Sequence, residues 1–204
     1  MIFNQLLVRR DSRAAIVGQT GTGKTSLALR LLPRTGRLAI IDPKRGIDYP
    51  GTPVYSDPEL IIRDRPDRFI YRPHESALDD IEQYDRVYRY VYETGNITVY
   101  TDDVVGIINN SKGPHYLKVC YMMGRAKTVR CIASFQRPSS LPLYLMSEAA
   151  QLYVFRLTMP DDIKRARSLA PGYDPSRLKS KYHFHYWDAD TQIKNDPIAL
   201  KMRS

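Results

Sequence analysis

Apolar residues fall in short runs broken by glycine, proline and charge, and the runs alternate between two periods. Ala15, Ile16 and Val17 close a continuous apolar stretch of the kind a strand buried on both faces needs. Residues 26–32 are good helix formers. Residues 37–42 then read as a second buried strand, cut off by Pro43 and Gly46. Residues 49–73 carry Pro50, Pro53, Pro58, Pro66 and Pro73, so they read as loop with one short strand at 69–71. Leu78, Ile81, Tyr84, Tyr88 and Val91 recur every third or fourth position, which predicts an amphipathic helix over 75–94 closed by Gly95. Further strands are expected at 97–100, 129–135, 151–157 and 182–187. Helices are expected at 114–123, 141–150 and 160–169, the first with Pro114 in its opening turn. Strands alternating with helices predict an α/β fold with a mostly parallel sheet and right-handed crossovers. No internal repeat or linker divides the chain. It reads as a single domain, with a core over 14–169 and a C-terminal strand and tail over 170–204, and the stretch after Asp190 carries no signal of its own.

Chemistry enters between the first strand and the first helix. Gly18, Gly23, Lys24 and Thr25 fit G-x-x-x-x-G-K-[ST], with a further glycine, Gly21, inside the loop. Such a backbone curls around an anion and presents several N–H groups to it, and the following helix points its positive end at the same phosphates. Thr20, Thr22 and Ser26 complete the candidate nucleotide-binding set. Lys24 is expected on the β- and γ-phosphates and the Thr25 hydroxyl on Mg²⁺. The motif predicts a chain that binds a nucleoside triphosphate.

Two later strands end in polar residues that extend this site. The strand at 97–100 runs into Asp102 and Asp103. Asp102 suits the acid that holds Mg²⁺ through water, and Asp103 suits the acid that polarises an attacking water, which favours hydrolysis over transfer. The strand at 129–135 runs into Gln136, whose amide can hydrogen-bond both the water and the γ-phosphate. A turn-capping acid pair and a polar strand end are the bland alternatives.

Composition adds one constraint. Lys plus Arg outnumber Asp plus Glu by 31 to 22, a net charge of +9, more cation than a nucleotide needs. The surplus favours a polyanion such as DNA or RNA, with plain solubility as the alternative. Cys120 and Cys131 sit in apolar runs and read as buried free thiols of a reducing interior. The N-terminal residues carry charge after a very short apolar run, the reverse of a secretory leader, and no apolar segment approaches a bilayer span. A soluble, intracellular protein is expected.

Taken together, the Gly18–Thr25 loop, Asp102–Asp103 and Gln136-Arg137-Pro138-Ser139 resemble the HerA/FtsK superfamily of DNA-translocating ATPases, whose third motif is typically a strand ending in Gln-Arg-Pro-Ser. Small single-domain members of that superfamily are genome-packaging ATPases of viruses with an internal membrane. The resemblance spans residues 14–169, and the Gln-Arg-Pro-Ser placement is its specific part. It implies a P-loop NTPase three-layer sandwich of the RecA/FtsK type, with ATP and Mg²⁺ as cofactors. It further implies a ring oligomer, a hexamer, that drives double-stranded DNA into a procapsid. The implied partners are the viral genome and capsid-vertex or internal-membrane proteins. The implied location is the host cytoplasm or a capsid vertex. Asp103 stands where many relatives carry Glu, so its reach is one methylene shorter.

Such motors complete the site with an arginine from the neighbouring subunit. Arg125 is the first candidate and Arg165 the second. Lys112, in a loop over 109–113, with Lys127 and Arg130, are candidates for DNA phosphates, as are Arg63, Arg65 and Arg68. The competing readings are a P-loop nucleotide or small-molecule kinase and a non-catalytic nucleotide-binding adaptor.

Overall fold

In the computed structural model, which describes residues 8, 9, 12–108 and 112–200, the chain builds one nine-stranded sheet. In chain order the elements are β1 (Arg13–Val17), α1 (Lys24–Leu31), β2 (Arg37–Ile41), β3 (Val54–Tyr55), α2 (Pro58–Asp64), β4 (Arg68–Tyr71), α3 (Ile81–Thr94) and β5 (Ile97–Thr101). Then follow α4 (His115–Met123), β6 (Val129–Phe135), a single turn α5 (Tyr144–Ser147), β7 (Gln151–Phe155), α6 (Pro160–Leu169), β8 (His183–Asp188) and β9 (Ile193–Ala199). The strand order is β3-β4-β2-β5-β6-β1-β7-β8-β9. Strands β1 to β7 pair in parallel, while β8 and β9 extend the sheet in antiparallel fashion.

Alternation along the strands divides the core into two layers. Ala14 and Ile16 of β1, Leu38 and Ile40 of β2 and Tyr100 of β5 pack with Leu27, Ala28 and Leu31 of α1. Ala15, Val17, Ala39, Ile41 and Val99 face the other way, toward Tyr84, Val87, Tyr88 and Val91 of α3 and Leu117, Cys120 and Tyr121 of α4. The result is helix, sheet, helix, as the phosphate loop and the alternating pattern imply. Both cysteines are free and buried, and burial pushes the Cys131 thiol up to about 12, so it stays protonated near neutral pH. No helix among the described residues is long and apolar enough to cross a membrane. Residues 1–7, 10 and 11, on which the reading of the N-terminus rests, lie outside the described residues.

Three elements differ from the sequence reading. The proline-rich stretch contains a helix, α2, started by Pro58 at its first position and by Asp57, whose side chain accepts from the Glu59 N–H. The helix expected over 141–150 shrinks to the single turn α5, because Leu141 is extended and Pro142 follows it directly. The C-terminal segment carries a second strand, β9, paired along β8, so residues 183–199 form a hairpin where one strand was expected. The long helix α3 begins at Ile81, where Asp80 accepts from the N–H groups of Glu82 and Gln83. Glu75–Ala77 form a separate turn.

After β2 the chain turns on a fully buried carboxylate. Asp42 accepts from the N–H groups of Gly46 (3.2 Å) and Ile47 (3.0 Å) and from Arg72 Nε (3.1 Å). This clamp fixes the loop that carries Lys44. Replacing Asp42 by Ala takes the acceptor from two N–H groups and from Arg72 Nε, although Arg72 keeps the Ile47 carbonyl and Asp48, and should cost about 2 kcal/mol in denaturant unfolding; a loss under about 0.5 kcal/mol would show the clamp to be dispensable.

Candidate functional site

The phosphate loop leaves β1 where Gly18 N–H donates to the Phe135 carbonyl at 3.1 Å, one step past the last paired residues of β1 and β6. A Cβ on Gly18 would stand 2.5 Å from that of Phe155, so the loop's close approach to β7 requires glycine. Gly23 has φ 100°, and a Cβ there would meet Tyr182 at 3.0 Å and Leu200 at 3.2 Å. Between them the loop closes on the Gln19 carbonyl, which accepts from Thr22 N–H, Thr22 Oγ1 (2.7 Å) and Lys24 Nζ (2.9 Å). The helix α1 that follows has no acid in its first turn, so the positive end of its dipole is left for an anion.

Parallel pairing delivers the two other motifs to the same edge. A cleft of about 350 Å³ is lined by Thr20, Gly21, Gly23, Lys24, Thr25, Ser26, Lys44, Asp102, Asp103, Ser134, Gln136 and Tyr182. Asp102 Oδ1 accepts from Tyr100 (2.5 Å), Ser134 (2.9 Å) and Thr25 (3.1 Å). Tyr100 is buried, and burial together with the neighbouring Asp102 charge pushes its hydroxyl well above its ordinary value, so it remains a donor. Gln136 bridges the loop and the second acid: its Oε1 accepts from Thr20 Oγ1 at 2.8 Å and its Nε2 donates to Asp103 Oδ2 at 2.9 Å. Lys44 forms an ion pair with the same Asp103 oxygen. Asp103 Oδ1 is buried with no hydrogen-bond partner.

Thr25 and Asp102 are hard oxygen donors 3.1 Å apart, beside the loop that would hold phosphates. Mg²⁺ takes one or two carboxylates, keeps several waters and draws its other ligands from phosphates, so these residues fit it.

The arginine and DNA candidates lie elsewhere. Arg125 is in the turn Gly124–Lys127 that precedes β6, and Lys127 and Arg130 are at the same end. Because β6 is seven residues long and its carboxyl end is level with that of β1, its amino end is on the order of 20 Å from the cleft, so Arg125 cannot serve the cleft of its own chain. Arg65 and Arg68, just before and at the start of β4, share this amino-terminal edge. Arg63, exposed in the last turn of α2, pairs with Asp64. Arg165 sits half-buried in the middle of α6, outside the cleft lining. Lys112 is exposed, and residues 109–111 of its loop lie outside the described residues.

Sequence reasoning missed Lys44, Ser134, Tyr182 and Asp162. The first two stand at the carboxyl ends of β2 and β6, where ligand sites of parallel sheets gather, and that rule would have found them. Tyr182 lies far along the chain and reaches Gly23 only because β8 joins the sheet beyond β7. Asp162, almost fully buried, accepts from Arg137 Nε (3.1 Å), Ser139 N–H (3.0 Å) and Ser139 Oγ (2.5 Å).

No family model matches the chain, and no curated protein matches it in sequence. Its backbone does match solved structures. The genome packaging NTPase B204 from Sulfolobus turreted icosahedral virus 2, in complex with sulfate, aligns with a TM-score of 0.75 at 14% identity, over 96% of this chain and 100% of that one. The same NTPase in complex with ATP-gammaS gives 0.74 at 17% identity, over 95% and 100%. The cytoplasmic domain of the Thermomonospora curvata type VII secretion ATPase EccC gives 0.60 at 13% identity, over 95% of this chain and 24% of that one. At such identities the likeness is one of fold. It extends over nearly the whole of both this chain and the genome packaging NTPase.

Burial lowers the Lys24 ammonium to about 8, opposed by Asp103 and Asp102 and reinforced by Lys44. A bound phosphate favours the charged form, so binding above that value takes up a proton. The affinity for ATP should therefore be flat with respect to Lys24 below pH 8 and weaken by up to about tenfold per unit above it. Titrations across this range in the wild type and in Lys24→Arg, which stays charged, check it. A wild-type affinity that is level to about pH 9.5 would contradict the assignment.

Proposed function

We propose that this protein hydrolyses ATP and uses the cycle to drive double-stranded DNA into a viral procapsid, as a ring of identical subunits, a hexamer. The observation that carries the reading is the meeting of Lys24, Thr25, Asp102, Asp103 and Gln136 around one cleft, with Gln136 bonded to both the phosphate loop and the second acid. A kinase has little use for a second acid, Asp103, beside Asp102 with a strand-terminal amide, Gln136, held on it. Support for the packaging half comes from the fold shared with a genome packaging NTPase.

In this reading Lys24 and the loop N–H groups hold the β- and γ-phosphates, and Gln136 orients the attacking water. Asp103 takes the water's proton as the water oxygen bonds to the γ-phosphorus, the bond from that phosphorus to the bridging oxygen breaks and ADP leaves. Magnesium, when bound at Thr25 and Asp102, neutralises charge on the phosphate oxygens. A neighbouring subunit supplies the last cation. Arg125, which lies too far to act within its own chain, is our first assignment and Arg165 the second.

DNA would be held by phosphate contacts without base reading, which matches the excess of cations. Lys112 follows the strand that bears the acids, while Lys127 and Arg130 offer charge at the opposite edge of the sheet. The working location is the host cytoplasm, docked at a capsid vertex beside capsid or internal-membrane proteins.

Phosphate release by the purified protein, with and without linear duplex DNA, tests this directly. Hydrolysis should proceed with no acceptor, rise with duplex, and lose that stimulation steeply between low and moderate salt. Phosphate appearing only when a nucleotide or small-molecule acceptor is added would make the protein a kinase. Arg125→Ala should lower turnover by about 10³-fold or more while leaving ATP affinity nearly intact. Normal turnover in that variant would pass the role to Arg165.

A further inference from the structure

Lys44 belongs to none of the motifs above, yet its ammonium lies in the cleft. It pairs with Asp103 Oδ2, the oxygen that also accepts from Gln136, and it lines the same walls as Lys24. Lys24 itself is engaged with the Gln19 carbonyl. The backbone around Lys44 is fixed by Asp42, which accepts from the N–H groups of Gly46 and Ile47, whereas the Lys44 side chain is half exposed. We propose that Lys44 is a second phosphate-binding lysine, which pairs with Asp103 and moves to the γ-phosphate when a nucleoside triphosphate enters. The proposal rests on the nucleotide-binding reading above.

Charge decides the direction of the move. Among the residues lining the cleft, Lys24 and Lys44 balance Asp102 and Asp103. A terminal phosphate carries about −1.5 to −2, against −1 for a carboxylate, so at equal distance it attracts the ammonium more strongly. Lysine is suited to such an exchange: its charge is compact, its donors rotate, and its four-carbon stem swings without disturbing the backbone. Asp103 is not stranded when the lysine leaves, because Gln136 still donates to it. A diphosphate stops short of the γ position and leaves the ion pair in place.

The exchange has a chemical consequence. While Lys44 sits on Asp103, one oxygen of that carboxylate is occupied by a cation. Its transfer to the γ-phosphate frees lone pairs on Asp103 and adds positive charge where the transition state gains negative charge. The acid is thus unmasked only in the presence of the group to be cleaved.

The test is binding rather than turnover. Affinities for ADP and for a non-hydrolysable β,γ-methylene triphosphate would be measured by calorimetry on the wild type, Lys44→Met, Lys44→Arg, Asp103→Asn and the double variant Lys44→Met/Asp103→Asn. Lys44→Met should weaken the triphosphate analogue about tenfold and ADP by less than about twofold, and Lys44→Arg should keep most of the difference. Asp103→Asn, by releasing the lysine, should tighten the analogue, and that gain should vanish in the double variant. An unchanged ratio of the two affinities in Lys44→Met, or a gain that persists in the double variant, overturns the role of Lys44. A wild type that binds neither nucleotide overturns the nucleotide reading itself, and with it this proposal.

Discussion

Parallel pairing of β5, β6 and β1 is the constraint on which the site depends. Val17 stands opposite Phe135, so β1 and β6 finish together, while Thr101 stands opposite Ala133 and β5 ends two residues earlier, which leaves room at that edge for Asp102 and Asp103. Backbone bonds continue the ladder just beyond them, from Gly18 N–H to the Phe135 carbonyl and from Asp102 N–H to the Ile41 carbonyl. Side-chain direction past the strand ends is then set by parity. Tyr100 and Asp102 point to the same face, which is why the Tyr100 hydroxyl reaches Asp102. A slip of one residue in β5 would turn that carboxylate away from Thr25 and into the layer packed under α3.

The two adjacent acids have opposite surroundings. Asp102 has one oxygen saturated by Tyr100, Ser134 and Thr25, an arrangement that holds a fixed negative charge in a fixed direction. Asp103 has a left-handed backbone, φ 51°, and a buried oxygen with no partner. The first costs about 1–2 kcal/mol and the second about 1–3 kcal/mol. A residue held at such cost at the mouth of a phosphate loop points to work done there rather than to folding.

The strands and the long helix were legible because burial on both faces and the period of α3 leave strong patterns. The phosphate loop, Asp102 and Gln136 were legible because their chemistry demands particular residues at particular strand ends. What stayed hidden depended on tertiary geometry. Nothing local distinguishes Lys44 from any surface lysine after a proline; its place follows from the Asp42 clamp and from the turn that Asp103 makes. β9 contains Pro197 and mixed charge, which its position at the edge of the sheet tolerates. The helix expected after Gln136 failed because apolar spacing outweighed Pro142 in the reading, whereas in the fold the proline prevails.

The most specific run of the sequence, Gln136 to Ser139, has only its first residue in the cleft. Arg137 and Ser139 turn the other way and converge on Asp162, a carboxylate with 2% exposure in the first turn of α6. The spelling of the run follows from this: a cation and two neutral donors satisfy one buried charge, and Pro138 sets the turn that brings them round. The same contacts join the tip of β6 to the helix that carries Arg165. Any displacement of Gln136 is passed to Arg137 and Ser139 by covalent continuity. Asp162 cannot stay behind without leaving a buried charge unpaired, at about 3–5 kcal/mol, so the strand end and the helix move as one body.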